Sequence, residues 1–196
     1  MASRIMLISP ATSRSLRQAR FDDGVGIDDA GTARARAAAG ALPSGGRVVA
    51  SGSVRCGETA VALGLHGEEV ADLAPLDVGR WRGLVLDEVA AAEPESMARW
   101  LSDPACAPHG GESVEDVCAR VGRWLDAGRE TDGRVLAVVE PEVVRAAVVH
   151  ALRLPSAAFW RLDVPPLTAT ELSGRSGRWN LRLGRPLDVP ETDGAA

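Results

Sequence analysis

The sequence predicts an open α/β fold organised around buried parallel strands. Three observations predict it. Ile5-Met6-Leu7-Ile8, Arg47-Val48-Val49-Ala50 and Val135-Leu136-Ala137-Val138-Val139 are short, nearly continuous apolar runs, the pattern of strands covered on both faces. Each run stops at a polar or proline-bearing break: Ser9-Pro10, Ser51-Gly52-Ser53 and Glu140-Pro141. Each break then leads towards a helical pattern. In open α/β sheets, ligands bind beyond the carboxyl ends of the strands, so the chemistry is expected at these breaks.

Composition narrows the function. The 196 residues suit a single domain, taken here as 1–188 with a polar tail at 189–196. An apolar fraction of 45%, a charged fraction of 25% and a net charge of −5 describe an ordinary globular chain with no basic field for nucleic acid. No apolar run reaches membrane-spanning length and no secretory leader pattern is present, which points to the cytoplasm. Cys56, Cys106 and Cys118 form no C-x-x-C pair and suggest neither a disulfide framework nor a metal site. All 22 basic residues are arginine, and tyrosine is absent. Schiff-base chemistry, a P-loop lysine and a phenolic acid are therefore excluded. His66, His109 and His150 are the imidazoles available.

In chain order, Arg20–Gly31 is a glycine- and aspartate-rich loop whose spacing does not fit a calcium-binding EF-hand. Gly31–Leu42 follows as an alanine-rich helix, closed by Pro43-Ser44-Gly45-Gly46. After the second strand a helix runs from Val54 to Leu63 and ends at Gly64. Arg55 lies in its first turn, where a cation opposes the helix dipole. It either binds an anion there or bends back to a neighbouring carboxylate. Asp72–Gly83 is a loop over the sheet edge. Leu84–Ala92 and Glu95–Leu101 are helical, with Trp100 in the core. Ser113 is an N-cap with Asp116 completing a capping box. Val114, Val117, Cys118, Val121 and Leu125 form one apolar stripe behind it. Pro141 opens a helix to Leu152 that is apolar almost all round. His150, about 15 Å along that helix from Glu140, is structural. Leu167–Leu172 and Trp179–Leu183 are closing strands joined by Ser173–Arg178.

Four ordered segments resemble the histidine phosphatase superfamily, the phosphoglycerate-mutase-like proteins. Ala50-Ser-Gly-Ser-Val-Arg55-Cys-Gly-Glu-Thr59-Ala60 is similar to its S-S-P-x-x-R-A-x-Q-T-A segment. Leu76-Asp-Val-Gly79-Arg-Trp81-Arg-Gly83 is similar to x-D-F-G-x-W-E-G, and Gly110-Gly-Glu-Ser113 matches G-G-E-S. Val135–Leu152 resembles the V-L-V-V-S-H-G-G-V-I-R-x-L-L strand and helix. The resemblance implies a three-layer α/β/α sandwich with a mixed, mostly parallel central sheet.

It also implies a site from which most of the family's groups have gone. The Arg-His-Gly turn carrying the nucleophile falls on Ser9-Pro10-Ala11. The acid falls on Pro75, the second histidine on Glu140, and an asparagine on Leu16. The second arginine is kept as Arg55. Phosphohistidine chemistry is therefore not expected. Two readings follow. In one, Glu140 is a general base or acid and Arg55 orients a small carboxylate- or carbonyl-bearing substrate, assisted by Ser9, Thr12 and Ser13 in the old nucleophile loop. In the other, the chain is a non-catalytic small-anion-binding or protein-interaction module. His109, before the G-G-E-S turn, is the one histidine worth testing as catalytic, and Cys56 reads as a packed thiol. No metal or cofactor is implied, no nucleic acid or membrane partner is expected, and a homodimer is left open.

Overall fold

The computed structural model describes residues 3–129, 133–175 and 178–187, so the expected tail at 189–196 lies outside the described residues. The strands are β1 (Ser3–Ile8), β2 (Arg47–Ala50), β3 (Glu68–Glu69), β4 (Gly133–Val138), β5 (Thr168–Arg175) and β6 (Arg178–Pro186). They form one sheet in the order β3-β2-β4-β1-β5-β6. The first four positions are mutually parallel, whereas β5 pairs antiparallel with both β1 and β6. The sheet is thus mixed and mostly parallel, as the resemblance implied.

Side-chain alternation explains why β1 is apolar throughout. Ile5 and Leu7 join one core cluster with Val117, Val121 and Leu125 of α6 (Val114–Arg129) and with Val143 and Ala147 of α7 (Pro141–Leu152). Met6 and Ile8 face the other way, onto Ala35 and Ala38 of α2 (Asp29–Ala38) and Cys56 and Ala60 of α3 (Val54–Ala62). Helices therefore cover both faces, and a strand between them needs apolar residues at every position. A third cluster, with Trp81, Val89, Met97 and Trp100, is built on α4 (Leu86–Ala92) and α5 (Pro94–Ser102). It roofs one side of the carboxyl end of the sheet.

Several boundaries differ from expectation for local reasons. The alanine-rich helix starts two residues early because Asp28 caps it, accepting from the Gly31 amide at 2.7 Å. It yields at Ala39–Ala41 to a tight 3-10 turn rather than continuing to Leu42. The single turn α1 (Arg14–Arg17) and the two-residue β3 were not anticipated; both are too short to carry a periodic pattern. Asp72–Gly83 contains two 3-10 turns, at Ala71–Leu73 and Gly79–Trp81. The expected connection Ser173–Arg178 is mostly strand, with residues 176 and 177 outside the described set. Ser113 caps α6 as expected, its hydroxyl accepting from the Asp116 amide at 3.1 Å while the Asp116 carboxylate accepts in turn from the Ser113 amide. His150 is indeed tied into structure, 3.1 Å from Asp126. Its ring fits because Gly122 has no side chain; a Cβ there would stand 2.5 Å from His150 Nδ1.

Candidate functional site

The site forms where β2 and β4 end and α3 and α7 begin. Ser53 caps α3, its oxygen accepting from the Cys56 amide at 3.1 Å. The same hydroxyl donates to Glu140 Oε1 at 2.7 Å. Glu140 is the residue before α7; it is 3% exposed and leaves the cap position of its own helix unused. Its carboxylate turns instead to Arg55. Arg55 Nε donates to Oε1 at 3.3 Å, and Nη2 donates to Oε2. The Cys56 thiol points at Oε1 from 3.6 Å. Four donors thus fill the roughly four acceptor positions of the carboxylate. Arg55 and Glu140 form a bidentate, mostly buried pair, with side-chain exposures of 14% and 4%.

The electrostatics follow from that geometry. Burial alone would lower the Arg55 pKa, but the charge and hydrogen bonds of Glu140 outweigh it and hold the guanidinium above its usual range. Burial, then the adjacent Glu140 charge, pushes the Cys56 thiol well up, so it is a packed thiol and not a ready nucleophile. Glu142, in the first turn of α7, is also pushed up by burial and by Glu140, against the opposing pull of Arg145. Arg145 lies 3.8 Å from Glu142, donates to the Leu162 carbonyl at 2.7 Å, and stands over the Trp160 ring at 5.5 Å.

Arg55, Glu140, Glu142 and Arg145 line a cavity of about 250 Å³ whose other walls include Ser13, Leu16, Phe21, Pro75, Trp100 and Trp160. Its charged lining is balanced, with Arg20, Arg55 and Arg145 against Asp22, Glu140 and Glu142.

Among the hydroxyl residues expected here, Ser13 lines the cavity, although its oxygen is engaged capping α1 at the Leu16 amide. Ser9 and Thr12 do not line it. Ser9 is fully buried, donates to the Pro165 carbonyl at 2.6 Å and accepts from the Thr168 amide at 3.0 Å. Thr12 donates to Asp28 at 3.1 Å. Both hydroxyls are spent on holding the turn. His109 also stands apart from the cavity lining. It is 2% exposed, edge-on to Trp81 and Trp100 at 5.0 and 5.9 Å, and its Nδ1 accepts from the Gly111 amide. Burial lowers its pKa. The surrounding loop closes so tightly that a Cβ on Gly79, already at φ +49°, would fall 2.2 Å from the His109 carbonyl oxygen. The structure thus places His109 within the Trp81 and Trp100 cluster and outside the cavity lining.

Sequence reasoning missed Glu142, Arg145 and Trp160 as pocket residues. Arg145 carried a signal: it is the single arginine inside the apolar run Val143–Val149, where a charge needs a reason. Among the described residues, no group of three or more His, Cys, Asp or Glu side chains could hold a metal ion, and no helix is long and apolar enough to cross a membrane.

A three-layer sheet of this order, with an arginine at the start of the helix after its second strand, defines a phosphoglycerate-mutase-like fold. The chain belongs to the histidine phosphatase superfamily (branch 1), whose sequence profile matches residues 12–185. That match begins just after the Ser9-Pro10-Ala11 turn. The chain is 33% identical over 183 residues to the bifunctional protein Rv2228c of Mycobacterium tuberculosis, covering 86% of this chain and 50% of that one. It therefore spans about half the length of that relative. Glucosyl-3-phosphoglycerate phosphatase of M. tuberculosis is 31% identical over 158 residues, covering 68% of this chain and 70% of that protein. The native structure of the mycobacterial glucosyl-3-phosphoglycerate phosphatase Rv2419c superposes with a TM-score of 0.81 at 26% identity, covering 95% of this chain and all of that one. A putative α-ribazole-5′-P phosphatase from Escherichia coli shares the fold at a TM-score of 0.86 and 18% identity, covering 98% of this chain and all of that one.

Proposed function

We propose that this protein keeps the phosphatase fold but not phosphohistidine chemistry, and that it binds a small anionic or carbonyl-bearing molecule in the cavity beside Arg55 and Glu140. The observation that carries the reading is the Glu140 carboxylate seated on the Arg55 guanidinium, with its acceptor positions filled. Glu140 gives the retained arginine an internal anion. None of the three histidines is among the cavity-lining residues, and Pro10 offers no nucleophile. One named relative and both named structural neighbours carry phosphatase names, but a phosphate ester placed here as a ligand of Arg55 would have to displace Glu140 or lie beside it. Two like charges about 4 Å apart repel by ~4 kcal/mol at an effective dielectric of 20. A carboxylate whose lone pairs are all engaged is also a poor base, which favours binding over turnover.

The test is Glu140→Gln. With the competing charge removed, inorganic phosphate should bind at least roughly tenfold more tightly than to the unchanged protein, read by calorimetry. Neither form should hydrolyse p-nitrophenyl phosphate. Reproducible hydrolysis abolished by Arg55→Ala would overturn the reading.

One observation favours acid/base catalysis as the second reading. Glu140 and Glu142 are two cavity carboxylates in unequal settings, and such pairs are how folds separate an acid from a base. On that reading Arg55 orients a carbonyl-bearing substrate while the carboxylates move the proton. Deuterium exchange from solvent into the α-carbon of small 2-oxo acids, lost in Glu140→Gln, would support it. No exchange across such a set would leave the binding reading alone.

A further inference from the structure

The larger cavity lies at the other end of the sheet. It has a volume of about 650 Å³ and sits between the residues that follow α2, Ala41–Pro43, and the β5–β6 hairpin. Its floor is sheet. Arg4 at the start of β1 stands opposite Arg134 of β4 on one side and Ser173 of β5 on the other, and Ser173 stands opposite Asn180 of β6. One step along, Met6, Glu171 and Arg182 form a second row. Residues directly opposite across a ladder present their side chains on one face, so both rows look into the same space.

Charge is what sets this cavity apart. Among the described residues, Arg4, Arg134, Arg182 and Arg185 line it against the single carboxylate of Glu171, an excess of three positive charges in a chain whose net charge is −5. Like charges directly opposite on neighbouring strands destabilise a sheet, yet Arg4 faces Arg134 across the β1–β4 ladder. The internal partners are few. Arg134 donates to the Ser44 carbonyl at 3.2 Å. Arg185 Nε is buried without a hydrogen bond, its nearest carboxylate oxygen on Glu171 at 3.6 Å. Arg4 and Arg182 have no ion-pair partner among the described residues. A buried guanidinium nitrogen left without an acceptor costs free energy that a bound anion would recover.

We propose that this groove is a second site, for a small polyanion of about three negative charges held by the guanidinium groups of Arg4, Arg134, Arg182 and Arg185. Its location separates it from the Arg55–Glu140 pocket: Arg4 lies four residues, roughly 13 Å of strand, from the carboxyl end of β1. The concave shape and modest volume fit a compact molecule that several arginine forks can grip at once. The site is independent of the proposal for the first pocket.

Calorimetry on the full chain with inorganic tripolyphosphate and with citrate tests it. The unchanged protein should bind tripolyphosphate, and affinity should fall as salt is raised, because the contacts are between charges. The double substitution Arg4→Ser, Arg182→Ser should weaken binding by at least tenfold; both residues are exposed, so the fold should hold, as circular dichroism would verify. Glu171→Gln should tighten binding by releasing Arg185. The paired change Arg55→Met, Glu140→Leu, which removes the charges of the first pocket without leaving either one buried and unpaired, should leave it unchanged. Tripolyphosphate far ahead of citrate would identify phosphoryl recognition, and parity would identify charge; either supports the site. No binding of either probe at millimolar concentration would overturn the proposal. So would binding that survives the double substitution or disappears in a folded Arg55→Met, Glu140→Leu protein.

Discussion

At the start of α3, polar side chains converge on a single carboxylate, whereas at the Ser9-Pro10-Ala11 turn the Ser9 hydroxyl and the Ala11 amide are tied to neighbouring backbone and hydroxyl groups. Ser53, Arg55 and Cys56 all reach Glu140. Across the cavity, Ser9 is tied to Pro165 and Thr168, and the Ala11 amide donates to Thr59 at 3.0 Å. The difference has a physical origin. An arginine in the first turn of a helix, mostly buried, cannot be left without a counter-charge, because dipole and desolvation both oppose it. Glu140 meets that requirement. A turn without charge has no such requirement, and small residues let it close on its own backbone.

Several measurements would break or sharpen this contrast. The largest effect should come from separating the buried pair. Glu140→Ala or Arg55→Ala should each cost about 3–5 kcal/mol in urea unfolding, because the survivor is a buried unpaired charge. The combination Arg55→Met, Glu140→Leu should recover most of that loss. A cost under about 1 kcal/mol for either single change would mean the pair behaves as a solvated one, and the contrast would fail.

The turn should respond more modestly. Thr59→Val removes the oxygen that links the halves, since Thr59 accepts from Ala11 and donates to the Arg55 carbonyl at 2.7 Å. A buried amide without its acceptor costs about 1–3 kcal/mol. Ser9→Ala should fall in the same range, with phosphate affinity in the Glu140→Gln background unaltered. A change in that affinity would return Ser9 to the site.

His109 gives a pH test. Its folded pKa lies below the ordinary 6.5, so below that pH the unfolded chain binds the proton first. Stability should therefore be full above about pH 6.5 and fall as pH drops towards the folded value, by at most about 1.4 kcal/mol per pH unit. His109→Gln should remove that slope while leaving ligand binding in place. The smallest effect, about 1 kcal/mol, is expected for Ser113→Ala, which removes the α6 cap and touches neither half of the comparison.

What could be read in advance depended on how local the cause was. The runs Ile5–Ile8, Arg47–Ala50 and Val135–Val139, the Ser113 cap and the proline opening α7 are all decided within a few residues, and the structure has them there to within two residues, the third strand running Gly133–Val138. The facing of Arg55 and Glu140, 85 positions apart, became legible only through the family resemblance. Ser9 and Thr12 misled because a hydroxyl in a loop looks alike whether it meets a ligand or a carbonyl. His109 misled for a related reason. The Trp81 and Trp100 rings that enclose it come from distant segments, and nothing beside Pro108-His109-Gly110 announces them.

The strand order also dictates when the fold can form. β1 and β2 never touch; each pairs with β4, and Ser3 waits for Gly133, about 130 residues later. At a synthesis rate of 5–20 residues per second, the apolar run of β1 stays without its parallel neighbour for roughly 7–26 seconds. A chain arrested before Gly133 has the first two strands but not the one that joins them. Folding of the central sheet is therefore held back until the last third of the chain has been made, and the emerging amino-terminal half is the part most exposed to aggregation.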